Sequence, residues 1–300
     1  MSRKLKNGTH LLKFSSPSLS YKSTTVEVTV HDKNSGLEPY VAWSVENHPF
    51  YSTNAFKLYA ELKHSVKRTT IYSLDDENGS ERLRICSPEH LAPVFLLWPG
   101  RRFEVNLCSE KEPEIPMMDG SALPFFSALR REAGVPEELS FYDAPVHAEW
   151  NLARNEGEAP YGRVKIAPSE TFEVEYYLSK YDSYARASIY SAENLYNILL
   201  ARTFISENEY KQARAMGLLE GVDESSGLLL GDSCVEDKSR FRVNEEPAMH
   251  KILDLLGDLA FVSPSLPKIR IEIQNGGHIA HHQIMEKLLS YVSITRPSQI

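Results

Sequence analysis

His250, Asp254 and Asp258 recur at i, i+4 and i+8 within PAMHKILDLLGDLAF, a spacing that stacks all three along one side of an α-helix. Ile252, Leu253, Leu255, Leu256 and Leu259 fill much of the remaining surface. A helix this apolar is largely buried, so its polar residues face a protein-lined cavity rather than bulk water. A His and an Asp one turn apart can hold one metal ion from a single rigid element. The same short pattern also suits a core histidine satisfied by its neighbouring aspartate, or a solvated polar face. A catalytic metal site needs three protein ligands and an open position, so one ligand must come from elsewhere. His90 stands out among the other histidines because it follows Glu89 directly, placing a ligand beside a carboxylate that can act as a base. His278 follows Gly276 and Gly277 at an expected strand-to-helix junction, where glycines let backbone approach a ligand closely. His281 and His282, one turn further on, could form a second ligand set, with exposed helix positions the favoured reading, and His10, His31, His48, His64 and His147 are expected at surface or incidental positions.

The elements that must carry these residues follow from periodicity. TTVEVTV (24–30) and FEVNL (103–107) alternate with period two, and KRTTIYSL and RLRICS flank the turn cluster DDENGS as a hairpin. PEHLAPVFLLW has helical spacing, with Ser87 as N-cap, Pro88 at the first position and Pro93 shortening or bending it. DGSALPFFSALRREAG reads as a helix closed by Gly134 and Pro136, and residues 135–143 as a linker. In the second half VHAEWNLA, YGRVKIAP, FEVEYYL, ARASIYS, LLLGDS and KIRIEIQ read as strands. Helices are expected at 191–201, 207–216, the PAMHKILDLLGDLAF segment and HIAHHQIMEKLLSYV. Strands then helices, twice over, indicate an α+β fold rather than an alternating parallel sheet. Residues 1–135 and 143–294 are the expected units.

The 300 residues are 42% hydrophobic and 25% charged with a net charge of -8, an ordinary globular balance. The acidic surface argues against a nucleic-acid partner, which wants a basic one. It leaves room for a small anionic substrate held by a few local cations. No stretch approaches the roughly 20 apolar residues of a membrane span. The basic N-terminal stretch MSRKLKNGTHLLKF carries no apolar core of a signal peptide, so the expectation is a cytoplasmic monomer. Cys86, Cys108 and Cys234 are odd in number and widely spaced, which argues against a disulfide framework.

Five segments carry a resemblance in order and spacing: PEHLAPVF (88–95), EIPMMDGSALPFF (114–126), LARTF (200–204), MHKILDLLGDL (249–259) and GGHIAHH (276–282). With them the chain resembles the zinc-dependent UDP-3-O-acyl-N-acetylglucosamine deacetylase family of lipid A synthesis, over nearly its whole length. The resemblance implies two similar α+β domains with helices inside, sheets outside and the site between them. It implies Zn2+ bound by His90, His250 and Asp254, Glu89 as general base, and Thr203 polarising the amide carbonyl. It further implies His278 as the cation facing the oxyanion and the acid for the leaving amine, held by Asp258. Lys251 would lie near the substrate's sugar or phosphate groups and Phe204 near the acyl passage. From the residues alone, a His₂Asp set leaves zinc, iron and manganese open.

The chain departs from that pattern at the substrate end. SPSLSYKS (16–23) stands where the family has a glycine-rich GxGLHSG segment, EGVDESSG (220–227) replaces a GGS segment, and Asn275 stands where a lysine usually faces the nucleotide. Losing one cation beside a diphosphate weakens a charge-assisted contact. Three functions are therefore carried forward: deacetylation of the acylated UDP-sugar, a related amidase of another N-acylated sugar, and a non-catalytic binding descendant. The tyrosine-rich stretch 176–199 occupies the position of the family's acyl-binding insert, with sheet packing the favoured use of its tyrosines.

Overall fold

The computed structural model describes residues 2–5, 9–33, 35–37, 39, 41–45, 48–50, 71–75, 81–108, 113–153, 157–217, 219, 222–223, 225–231 and 238–291. The fold is α+β, with two mixed sheets. The first orders strands Ser2–Lys4, His10–Ser16, Thr24–Val30, Phe103–Cys108, Val41–Val45 and His48–Phe50. Period two decides its register: Val26, Val28 and Val30 pair with Leu107, Val105 and Phe103, and all six are buried. The second sheet orders Ala148–Leu152, Gly162–Pro168, Leu266–Gln274, Phe172–Leu178 and Ser183–Ile189. Its central strand turns Ile269, Ile271 and Ile273 inward.

Among the described residues five α-helices follow in chain order: α1 (Leu123–Ala133), α2 (Ala192–Leu199), α3 (Glu207–Ala215), α4 (Glu246–Val262) and α5 (His278–Leu288). Helix α4 packs on strands of the second sheet and on the segment 88–97. That segment lies on the first sheet, where Phe95 meets Trp43 and Phe103 edge-on or tilted. Helical layers thus lie between the two sheets, and one continuous apolar core joins them.

Most sequence expectations hold, including the hairpin arms Ile71–Asp75 and Glu81–Cys86 and the α1 stop at Gly134. Three need correction. Residues 88–97 form two 3₁₀ pieces, Pro88–His90 and Ala92–Leu97, rather than an α-helix. Pro93 has no N–H to give to an i−4 carbonyl, and the chain closes i→i+3 bonds instead, Leu91 to Pro88 and Val94 to Leu91. Ser87 does not cap: it adopts φ 57° and gives its hydroxyl to Glu114. The end of the expected linker, Phe141–Asp143, is a strand paired with Leu266–Lys268. Cys86 and Cys108 are free thiols, whereas Cys234 lies outside the described residues.

Gly257 shows how tightly the two halves meet. A Cβ there would lie 2.6 Å from the Cα of Glu89, closer than atoms approach. Gly257→Ala is expected to cost about 1–3 kcal/mol as an overpacking change and to displace Glu89. Thermal melting and activity check it, and an unchanged pair of values would contradict the close approach.

Candidate active site

The 3₁₀ turn Pro88–His90 presents Glu89 and His90 to α4, whose buried side carries His250, Asp254 and Asp258, and the first turn of α5 adds His278. Gly276 precedes it because a Cβ there would come within 2.8 Å of the Tyr176 hydroxyl. Glu89, His90, His250, Asp254 and His278 line one pocket with Thr203, Lys251, Leu19 and Met117. All five of these ionisable groups are buried.

The ligand atoms of His90, His250 and Asp254 lie within 4.8 Å of one another. Nε2 of His250 is 3.1 Å and Nε2 of His90 is 3.6 Å from Oδ1 of Asp254. The Ala201 carbonyl accepts from Nδ1 of His250 at 3.1 Å. Burial pushes the pKa of His250 down, with Asp254 opposing, so the ring is neutral and its single proton lies on Nδ1. A lone pair on Nε2 therefore faces a carboxylate oxygen that accepts no hydrogen bond. Two buried acceptors face each other with no proton between them, an arrangement a cation resolves. Two imidazoles and one carboxylate are the donors of a catalytic zinc site, so the residues fit a metal. Asp254 is held well below the ordinary carboxylate range despite its burial, with the Lys251 cation beside it. Its Oδ2 accepts from Lys251 Nζ at 2.7 Å.

Asp258, His278 and His281 form a second cluster, but here protons fill the gaps. Nδ1 of each histidine lies 2.8 Å from the same Oδ2 of Asp258. Burial disfavours charge on His278, yet Asp258 overcomes it, followed by Glu89 and Asp254, and its pKa rises to about 9. Nε2 of His278 points at Glu89, 3.8 Å from Oε1, and is also 3.8 Å from Oδ2 of Asp254. Burial raises the carboxyl pKa of Glu89, with His278 and His90 opposing, which suits a base working above the ordinary carboxylate range.

Thr203 is clamped by its backbone: its N–H donates to Gly120 at 2.6 Å and its carbonyl accepts from Leu228 at 2.7 Å. Phe204 packs against Tyr181 and His250, with ring centroids 5.1 and 6.1 Å away. Asn275 is not brought into the pocket lining. At φ 53° it ties strands together, accepting from Ser179 N and Oγ and donating to the Tyr161 carbonyl. His281, expected on an exposed helix face, is instead fully buried. Besides Asp258 it meets the Tyr176 hydroxyl at 3.1 Å. The signal was its i+3 spacing from His278, which puts both on one helix face. In the tyrosine-rich stretch, Tyr176 and Tyr181 pack inside while Tyr184, Tyr190 and Tyr196 are exposed.

The profile of the family described as UDP-3-O-acyl N-acetylglycosamine deacetylase matches residues 25–290. The chain belongs to this family. The UDP-3-O-acyl-N-acetylglucosamine deacetylase of Aquifex aeolicus (strain VF5) is 28% identical over 241 residues, 80% of this chain and 81% of that protein. That of Syntrophotalea carbinolica is 29% identical over 218 residues, 71% of this chain and 67% of its own. That of Coxiella burnetii (strain CbuK_Q154) is 28% identical over 212 residues, 69% and 68% of the two chains. The family is one of amide hydrolases. Among the described residues no helix is long and apolar enough to cross a membrane.

Proposed function

We propose that the protein hydrolyses the N-acetyl amide of UDP-3-O-acyl-N-acetylglucosamine, a step of lipid A synthesis, with Zn2+ held by His90, His250 and Asp254. The observation that carries the reading is the convergence of the ligand atoms of His90, His250 and Asp254 within 4.8 Å of one another, beside the pair of Glu89 and His278. When bound, zinc lowers the pKa of a water towards about 7 and polarises the amide carbonyl. Glu89 takes the proton from the attacking water. The Thr203 hydroxyl and the His278 cation meet negative charge as it develops on the carbonyl oxygen. His278 then gives its proton to the leaving amine, while Asp258 keeps that imidazole charged and oriented. Lys251 serves the polar end of the substrate and Phe204 its acyl end. The same reading takes residues 1–135 and 143–294 as two α+β domains, and the protein as a cytoplasmic monomer acting on a small molecule.

Two features favour keeping a second reading, an amidase of the same chemistry acting on another N-acylated sugar. The Asn275 amide is committed to Ser179 and Tyr161, and SPSLSYKS replaces a glycine-rich loop. Amine release from UDP-3-O-acyl-N-acetylglucosamine, UDP-N-acetylglucosamine and free N-acetylglucosamine separates the two. Turnover confined to the acylated nucleotide supports the first reading; turnover of a sugar without the nucleotide, and none with it, supports the second.

The pH dependence follows from the two shifted groups. Glu89 must be deprotonated and its pKa is raised from 4.5, so activity is expected to rise on the acid side above that value. His278 must be protonated and holds its proton to about pH 9, so activity falls above that point. His278→Gln is expected to remove the alkaline limb with most of the rate, and a flat profile across roughly pH 5–10 would contradict acid–base assistance. The sign for stability is the same. The folded pKa of His278 lies above its ordinary 6.5. The stabilisation from its pair with Asp258 is therefore complete below that value and is lost as pH rises through about 9.

A further inference from the structure

The MMDGS and LARTF motifs contribute one pocket-facing side chain beyond Met117, that of Thr203. Their other polar residues converge on Glu246, the first residue of α4, whose side chain is fully buried. Its Oε1 accepts from the backbone N and the Nε of Arg202, both at 2.9 Å. Its Oε2 accepts from Arg202 Nη2 at 3.1 Å and from the backbone N of Arg242 at 2.8 Å. Arg242 then reaches across to Asp119, its Nη1 donating to Oδ2 at 2.6 Å. The other oxygen of Asp119 accepts from Ser121 N and Oγ, which fixes the turn whose Gly120 carbonyl receives the Thr203 N–H.

None of these four charged residues lines the pocket. A buried ion pair is weak evidence for stability, because apolar residues of similar volume do as well. Its geometry does what apolar contacts cannot: it fixes the backbone of Arg202, between two groups that need exact placement. On one side the Ala201 carbonyl accepts a hydrogen bond from Nδ1 of His250, which turns Nε2 toward the other ligand atoms. On the other, Thr203 is pressed between glycines 120 and 227, where a Cβ at either would lie 2.9 Å from its Cγ2.

We propose that Asp119, Arg242, Glu246 and Arg202 are positioning residues, a brace that holds residues 201–203 so that Ala201 orients His250 and Thr203 faces the reacting carbonyl. The proposal rests on the function proposed above for His250 and Thr203, and it adds an outer layer to that site. Partners that orient metal ligands from outside typically change affinity by about 10–100-fold when lost.

Two measurements test it on the intact protein. The first is zinc affinity by chelator competition for wild type, Glu246→Gln and Arg242→Ala. Glu246→Gln keeps the shape but removes the charge that grips Arg202, and is expected to bind zinc about 10-fold or more weakly. The second is a double-mutant cycle between Arg242→Ala and Thr203→Ala, read as kcat and KM of deacetylation. Arg242 is partly exposed, so its loss should leave the fold intact. It is expected to lower kcat about 10-fold in the wild-type background with KM little changed, and less than about twofold when Thr203 is already absent. Unchanged zinc affinity in Glu246→Gln, or an equal loss of kcat in both backgrounds, overturns the brace. Protein that binds zinc but leaves the acylated nucleotide untouched would refute the proposed substrate, and the affinity measurement would still decide the brace.

Discussion

Glu89→Ala is expected to keep its metal and lose about 10²- to 10⁴-fold in kcat, the range a positioned general base contributes. The carboxylate is buried between His90 and His278 without being one of the three grouped metal donors. Removing it deletes the group that accepts the water's proton and leaves His90, His250 and Asp254 in place. Burial already disfavours its charge, so the truncation should not unfold the chain. Glu89→Gln, which keeps the shape but accepts no proton, should lose nearly as much. Metal content and single-turnover rates measured on the same preparation check this. Full activity in Glu89→Ala would remove Glu89 as the base and leave the pocket without one, because Asp254 is tied to Lys251 and Asp258 to two histidines.

His250→Ala has the opposite signature: metal content falls, and activity falls with it. His250 is 1% exposed and is held by a backbone carbonyl in the tautomer a metal ligand needs. Without it only His90 and Asp254 remain of the three donors. Losing a direct ligand should exceed the roughly 10–100-fold that outer partners cost. Elemental analysis and chelator competition give the answer, and an unchanged metal stoichiometry would mean that the ligand set is wrong. Comparing the two variants separates the proton-transfer function from metal binding, which a loss of activity alone does not.

The ligand helix was the most legible part of the sequence, because its polar residues recur at four-residue spacing among leucines and isoleucines. Strands such as TTVEVTV were legible for the same reason, each burying every second residue. The apolar spacing of residues 88–97 fits a helix, and only the missing N–H of Pro93 and the left-handed Ser87 turn the segment into 3₁₀ pieces. His281 was misplaced because burial depends on the neighbouring strand: Tyr176 lies 105 positions away in sequence. Asn275 reads in sequence as a substitution at the nucleotide end of a substrate. In the fold its amide serves three backbone and side-chain partners, a use that depends on distant loops. The brace on Glu246 is illegible in sequence for the same reason, since its members come from three separated stretches of the chain, at 119, 202 and 242–246.

In the proposed mechanism His90, His250 and Asp254 hold one metal ion that the amide hydrolysis requires. Elemental analysis of protein purified without added metal, with deacetylation of the acylated nucleotide sugar measured before and after chelation, tests it directly. One zinc per chain, loss of turnover on chelation and recovery when zinc is returned are the expected results. Protein that carries no metal, or that turns over the substrate equally well after complete chelation, would contradict it.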